Sequence, residues 1–291
     1  MKTRHISVST VAYEGYPIET AFGELVRLGI RLVEPAYIKG YMSFSEDDFE
    51  DAAIRKMQQL LHQHGLSSIA ISAHMNCGAP DAQEMLARRL RFTAGIGARY
   101  TITNSSANDQ RETLIRTIEA NIPLAEKLGV VIALENPGHG PTNLMVDGKA
   151  AAALIGHFNS PYVRMNYDTS NALTCTEGRT RPEQDIDYAL PHSCHVHLKD
   201  VVRKSERWEY VAIGAGEIDY ALLLSKLANW PDLPLTLELP LRLQRTFHQD
   251  PVRRPDVIPL NEIATAIRQS WDCCAQAFEN AAPLTPSQLG L

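Results

Sequence analysis

Short apolar runs alternate with longer amphipathic stretches along the whole chain. The runs that read as buried strands are His5–Thr10, Arg31–Pro35, Ser67–Ser72, Arg99–Thr103, Val130–Glu135, Val163–Asp168, His195–Lys199 and Leu235–Leu239. Between them, apolar residues recur at helical spacing over about 17–28, 47–64, 82–96, 109–128, 147–157, 183–190, 219–229 and 258–280. Strict alternation of strand and helix predicts an α/β chain with a parallel sheet and crossover helices. Eight such units predict closure into a (β/α)8 TIM barrel. The competing architecture is an open doubly wound sheet. No G-x-G-x-x-G follows the first strand, so the nucleotide-binding signature common in such sheets is missing. No low-complexity stretch or composition break interrupts the pattern, which predicts one barrel domain over residues 1–291 with the C-terminal helix packed on the barrel.

The length of 291 residues suits an eight-unit barrel. A net charge of −6 argues against a dominant attraction to nucleic acid or an anionic membrane. No run approaches the roughly 18 apolar residues of a membrane helix, and the opening MKTRHISVST has no apolar signal core. The five cysteines form no C-x-x-C pair, which reads as reduced thiols in a cytoplasmic protein rather than a structural zinc site. The sequence leaves a homo-oligomer open.

Four side chains sit at the tips of consecutive strand candidates in the second half of the chain: Glu135, Asp168, His197 and Glu238. Active sites of (β/α)8 barrels lie at that end. The longest irregular stretches, including Asn76–Pro80, Pro137–Val146, Leu173–Pro182, Val201–Glu217 and Pro240–Pro255, all follow strands and would ring the same mouth. Taken singly, each residue could be a strand-end charge facing water. Together, one imidazole and three carboxylates suit one divalent ion such as Mn²⁺, Mg²⁺, Co²⁺ or Zn²⁺. Strand alternation turns His195 the same way as His197 but one layer deeper. Alternation also aligns Arg164 and Asn166 with Asp168, an awkward pair for a barrel interior unless a bulge intervenes.

The segments LEN around Glu135, DTSNAL after Asp168, HVHLKD around His197, IGAGEIDY at 213–220 and LELP around Glu238 resemble the xylose isomerase-like TIM-barrel superfamily. That superfamily joins sugar isomerases and epimerases, oxo-polyol dehydratases and endonuclease IV. The resemblance implies that Glu135, Asp168, His197 and Glu238 hold one metal, and that Glu135 and Glu238 move the proton. It implies a substrate-clamping role for Arg203, six residues after His197. Asn171 and Pro141 stand where ketose 3-epimerases carry a His and a Glu, which points away from that particular enzyme. Endonuclease IV binds three zinc ions, and Asn171, Trp208 and Tyr210 replace ligands it would need, leaving an AP endonuclease as the weakest reading.

Other residues near the mouth carry candidate roles. His139, in the shaped loop ENPGHGP, suits a base or substrate contact. His74 could reach a substrate hydroxyl, and Asn171 lies among the substrate contacts. Glu34 could orient substrate or a catalytic partner, Lys199 could touch substrate or pair with Asp200, and Trp208 could stack on a sugar. The glycines of GAG at 214–216 are a weak amide nest for a phosphate. The expected chemistry is removal of a proton beside a carbonyl to give an enediolate. Returning the proton isomerises or epimerises a keto-sugar or sugar phosphate. Losing a β leaving group instead makes the enzyme a lyase or dehydratase on an oxo-polyol or 3-oxo-glycoside. The expected partner is a small carbohydrate, with neither nucleic acid nor membrane involved.

Overall fold

The computed structural model describes residues 4–138, 142–247 and 249–280. Its main sheet is parallel and runs through β1 (Ile6–Ser9), β2 (Val33–Glu34), β3 (Ala36–Tyr37), β4 (Ala70–Ala73), β5 (Tyr100–Asn104), β6 (Val131–Glu135), β7 (Val163–Asp168), β8 (Ser193–Leu198) and, after two strands of a second sheet, β11 (Leu235–Leu237). In space the order is β2-β1-β11-β8-β7-β6-β5-β4-β3. Strands β2 and β3 are two halves of one strand broken at Pro35, which lacks an N–H for the ladder. β2 pairs with β1, and β3 pairs with β4. The order therefore begins and ends on the same strand, and the sheet is a nearly closed (β/α)8 barrel. Among the described residues, no helix is long and apolar enough to cross a membrane.

Each barrel strand is followed by a helix at the positions the periodicity predicts: α1 (Ile18–Arg27), α2 (Asp51–His64), α3 (Ala82–Gly95), α4 (Arg111–Leu128), α5 (Gly148–Phe158), α6 (Thr169–Cys175) with α7 (Pro182–Ala189), α8 (Tyr220–Leu227) and α9 (Leu260–Asn280). Local chemistry sets their ends. Asp147 and Asp219 cap α5 and α8 by accepting from Ala150 and Leu222 N–H groups. Gly65 and Gly129 stop α2 and α4 in the left-handed conformation. α6 is an addition to the predicted helices, and its last three residues fall in the stretch Leu173–Pro182 that the sequence pattern leaves irregular. Its seven residues carry no exposed apolar–polar rhythm, because all seven are buried.

Two segments expected as loops form a second, antiparallel sheet. It consists of β9 (Asp200–Lys204), β10 (Arg207–Val211), β12 (Leu243–Thr246) and β13 (Val252–Arg253), in the order β13-β12-β10-β9. β9 continues from the tip of β8 and turns back through Ser205, whose φ is 55°. Trp208 and Tyr210 alternate with Arg207, Glu209 and Val211, a period-two signal masked by the charges around it. Trp208 lies opposite Arg203 on one side and Arg245 on the other. Trp208 is thus a buried sheet residue, not a loop aromatic.

The large apolar core lies between barrel and helices, where Phe22, Leu25, Leu86, Leu90, Leu154 and Leu223 are buried. The barrel interior itself holds a small apolar cluster of Ala70, Ile102 and Ala133. Above it the interior is polar. Ser7 Oγ is 2.6 Å from Thr236 Oγ1, which contacts Glu34 Oε2 at 3.0 Å and His195 Nε2 at 2.9 Å. The ladder is irregular between Met165 and Asn166, and this shift accompanies a buried Asn166 bonded to His195 and Glu135. Arg164 instead donates to Pro191 O at 2.7 Å near the surface. The bulge resolves the apparent conflict on that strand.

Candidate metal and active site

Glu135 ends β6, Asp168 ends β7, His197 lies one residue from the end of β8, and Glu238 follows β11 directly. Parallel pairing sets Asp168 beside His197 and Thr236 beside His197. The four side chains converge at the C-terminal mouth. His197 Nδ1 lies 3.0 Å from Glu135 Oε2, 3.5 Å from Glu238 Oε2 and 3.9 Å from Asp168 Oδ2. None of the four residues is more than 2% exposed. A cavity of about 300 Å³ lies elsewhere, between α1 and α2 and lined by Tyr13, Tyr37, Phe44 and Met57. The chemistry-bearing groups are not in it.

His197 is held from below. Its Nε2 is 3.0 Å from Glu34 Oε2, and Glu34 also accepts from Ser72 Oγ at 2.8 Å and from Thr236 Oγ1. The sequence pattern allowed Glu34 to meet substrate. The structure places it under the imidazole with its oxygens engaged, so it orients His197. Burial raises the Glu34 pKa, but His197 and His195, with the Ser72 hydrogen bond, outweigh it and hold the carboxyl at about 2. His195 lies one layer deeper, as expected, and burial drives its imidazole pKa down to about 3. The neutral ring can donate from Nδ1 to Asn166 Oδ1 at 2.7 Å, and the Thr236 hydroxyl is then shared between His195 Nε2 and Glu34.

Glu135 is fixed by two amides: Asn166 Nδ2 at 2.7 Å and Asn171 Nδ2 at 3.0 Å. Asn171 N also bonds Asp168 Oδ1, because Asp168 caps α6. Lys199 Nζ pairs with Asp168 Oδ2 at 2.7 Å and with Glu238 Oε2. Burial lowers the Lys199 pKa, but Asp168 and Glu238 raise it further, so the net shift is well upward and the group stays ammonium. Burial and the nearby Glu238 raise the Asp168 pKa against the pull of Lys199 and His197. The His197 pKa is likewise raised well above normal: burial opposes its charge, but Glu34, Glu238 and Glu135 surround it. Lys199 therefore does not pair with Asp200. The Asp200 carboxylate accepts N–H groups of Val201, Gly214, Gly216 and Ile218 at 2.9–3.4 Å. It fills the GAG nest considered for a phosphate, and a Cβ at Gly216 would overlap it.

The donor set fits a divalent cation. His197 Nδ1 is buried without a hydrogen-bond partner among the described residues, and the Asp168 Oδ2 and Glu238 Oε2 atoms that face it are held only by the Lys199 ammonium. One ligand atom each from Glu135, Asp168 and His197 lie within 4.8 Å of one another. Glu34, His195 and His197 meet the same criterion. Their atoms, however, are taken up by Ser72, Thr236 and Asn166, so the outer cluster is the better site.

The remaining candidates separate. His74 is buried, with an unpartnered Nε2 3.7 Å from Glu135 Oε2, in position to meet a ligand. Asn171 Oδ1 has no partner among the described residues. His139 and Pro141 lie outside the described residues. Arg203 does not reach the carboxylates. It sits exposed at the outer end of β9, with its guanidinium 4.6 Å from the Phe247 ring centroid. Besides Lys199, a second buried cation near the mouth is Arg245 on β12, which the sequence pattern did not single out. It is 3% exposed, donates to Tyr41 Oη at 3.0 Å, and has no partner for Nε and Nη1 among the described residues.

A barrel whose mouth gathers three carboxylates and an imidazole defines a class of metal-site α/β barrels. Residues 22–257 match the family model described as xylose isomerase-like TIM barrel, and the chain belongs to that family. Among curated proteins, none matches the sequence. Solved structures give the same fold at low identity. D-psicose 3-epimerase from Clostridium cellulolyticum H10, solved with D-tagatose, superposes with a TM-score of 0.72 at 14% identity, covering 94% of this chain and 99% of that one. A xylose isomerase-like TIM barrel protein from Mycobacterium smegmatis in complex with magnesium gives 0.70 at 14% identity, covering 96% and 100%. The probable 3-DHS dehydratase AsbF from Bacillus anthracis gives 0.64 at 12% identity, covering 91% and 97%.

Proposed function

We propose that this chain is a divalent-metal-dependent isomerase or epimerase of a small keto-sugar or related oxo-polyol. In this reading Glu135, Asp168, His197 and Glu238 hold the ion, and Glu135 and Glu238 move the proton. One observation carries it. In the strand order β11-β8-β7-β6, the two glutamates stand at opposite ends of the arc that His197 and Asp168 occupy, with carboxylates 3.0 and 3.5 Å from the same imidazole nitrogen. A bound divalent ion would polarise a carbonyl and acidify the adjacent C–H. The protein supplies the rest. The amides of Asn166 and Asn171 hold Glu135 in one orientation, ready to take a proton. Lys199 Nζ, paired with Asp168 and Glu238, holds the Glu238 carboxyl in place on the opposite side. Burial of the whole cluster keeps bulk water from the carbanion.

Lys199 also favours a second reading. An ammonium beside both Asp168 and Glu238 could protonate a departing hydroxyl, which would make the protein an oxo-polyol or 3-oxo-glycoside lyase. Incubating Mn²⁺-loaded protein with ketoses, inososes and 3-oxo-glycosides in deuterated water separates the two. Solvent deuterium in an isomeric product supports the isomerase, and an enone supports the lyase. Glu135→Gln or Glu238→Gln should each lower turnover at least about 100-fold. Near-normal turnover in either variant removes that residue from proton transfer.

A further inference from the structure

Arg245 brings a full positive charge into the cover of the site, and its chemistry is not used by the proton transfer. Its side chain is 3% exposed. Its Nη2 donates to Tyr41 Oη at 3.0 Å, while Nε and Nη1 have no acceptor among the described residues. A buried guanidinium normally meets a carboxylate, because desolvating it alone is costly. Here the surroundings supply hydroxyls instead. Burial lowers its pKa, but Tyr210 and Tyr41 raise it, with Asp168 contributing at longer range, so it remains charged.

Its position ties it to the catalytic groups. A Cβ at Gly138, just beyond β6, would overlap Arg245 Nη1 and press on Asn171 Oδ1. Asn171 in turn bonds Glu135. Two further polar atoms near it are buried and unpartnered among the described residues: Asn171 Oδ1 and Tyr210 Oη. Lys199 Nζ lies 5.8 Å from the Tyr210 ring centroid, and Tyr210 also interacts with the Arg245 charge. We infer that Arg245, with Tyr41 and Tyr210, forms an anion subsite that takes a carboxylate of the substrate. The substrate class is then an oxo-acid derivative of a sugar or polyol, not a neutral sugar. A carboxylate suits the geometry better than a phosphate: one guanidinium and two phenols offer few donors, and the GAG amide nest is filled by Asp200. This assignment refines the proposed function and rests on the substrate lying at that same mouth.

The test is binding, read by calorimetry on the full-length protein, with turnover as a second readout. The probes are D-erythronate, erythritol and erythritol 4-phosphate, which share a polyol body and differ at one end. The wild type should bind erythronate about ten- to a hundred-fold more tightly than erythritol, the range expected for a charge-assisted contact. Arg245→Met should erase that preference while leaving erythritol affinity unchanged, and Arg245→Lys should restore only part of it. Tyr210→Phe, which keeps the ring, guards against a folding defect and should weaken erythronate alone. Equal binding of erythronate and erythritol by the wild type overturns the inference, as does a preference for the phosphate. The two readings fail differently. If neutral ketoses exchange solvent deuterium and Arg245→Met leaves their kcat/KM unchanged, the subsite is wrong and the proton-transfer reading stands. If erythronate binds through Arg245 but no oxo-acid exchanges deuterium, the subsite stands and the proton-transfer reading is wrong.

Discussion

Replacing Thr236 by Val tests whether the polar barrel interior is a supporting structure for the site. Thr236 is fully buried, and its hydroxyl meets Ser7 Oγ at 2.6 Å, His195 Nε2 at 2.9 Å and Glu34 Oε2 at 3.0 Å. Valine keeps the shape, so no cavity opens and the change is almost purely one of hydrogen bonding. The single hydroxyl proton is shared between Glu34 and His195, so the loss is one charge-assisted bond at about 1.5–3 kcal/mol and one neutral bond to Ser7 at roughly 1 kcal/mol. Ser7 can fall back on Leu235 O at 3.4 Å, which holds its share to the low end. The expected cost is about 3 kcal/mol, a large part of a domain's stability. Urea unfolding of wild type, Thr236→Val and Thr236→Ser at equal m-value measures it. Serine keeps the hydroxyl and loses one methyl, so it should cost about 1 kcal/mol. If Val lies within 1 kcal/mol of wild type, or Ser is as damaging as Val, the hydrogen-bond reasoning is refuted.

Glu34→Gln should weaken Mn²⁺ binding about 10- to 100-fold, because the partner that orients His197 loses its charge; unchanged affinity by calorimetry would return Glu34 to a packing role. Burial raises the Asp200 pKa to about 6 against the pull of four N–H donors. Its carboxyl in the unfolded chain titrates near ~3.9. The folded form then binds the proton more tightly, so this group's contribution is fully present below about pH 4 and is lost as pH rises through 6. Wild type should therefore lose about 3 kcal/mol relative to Asp200→Asn between pH 4 and 7, and parallel unfolding profiles would contradict this. Arg203→Ala, at the exposed end of β9, should leave kcat/KM within about twofold and cost roughly 0.5–1 kcal/mol of stability from its ring contact; a tenfold kinetic loss would restore it to the site.

The barrel and its four mouth residues are readable in the sequence because both follow strand geometry. A buried strand shows as an apolar run, and a charged residue closing each of four runs has few explanations other than a shared site. What depends on long-range contact is not readable. Asn166 looks misplaced until the ladder shift turns it between His195 and Glu135. Asp200 looks like a partner for its neighbour Lys199, yet it turns into the Gly214–Gly216 amides while Lys199 crosses to Asp168 and Glu238. Arg245 lies in a stretch, LRLQRTF, with three polar residues of similar appearance, and only its burial against Tyr41 distinguishes it. The period-two alternation of Trp208 and Tyr210 was the one local signal for the second sheet, and it is diluted by the arginines and glutamates on the other face.

The site can be followed upward through the barrel as a series of levels, each fixing the next. Ser7 and Thr236 lie at the bottom, bonded to Glu34 and His195. Those two, with Ser72 and Asn166, set His197 and Glu135. Above them Asp168 and Glu238 meet Lys199, and Tyr41 with Arg245 closes the top. An apolar interior of branched side chains would pack such a barrel more cheaply, since burying polar groups gains little net free energy even when every one is bonded. Under the proposed function, the polar stack makes sense if position is what it delivers: an imidazole held within tenths of an ångström is worth more to proton transfer than a few kcal/mol of stability. This ordering has a consequence for mutation. Changes at the bottom, such as Thr236→Val, should lower stability and metal affinity together, because every higher level rests on them. Changes at the top, such as Arg245→Met, should alter which ligand binds while stability and metal affinity hold. A variant set in which the two effects failed to separate by depth would mean the levels are not a mechanical series.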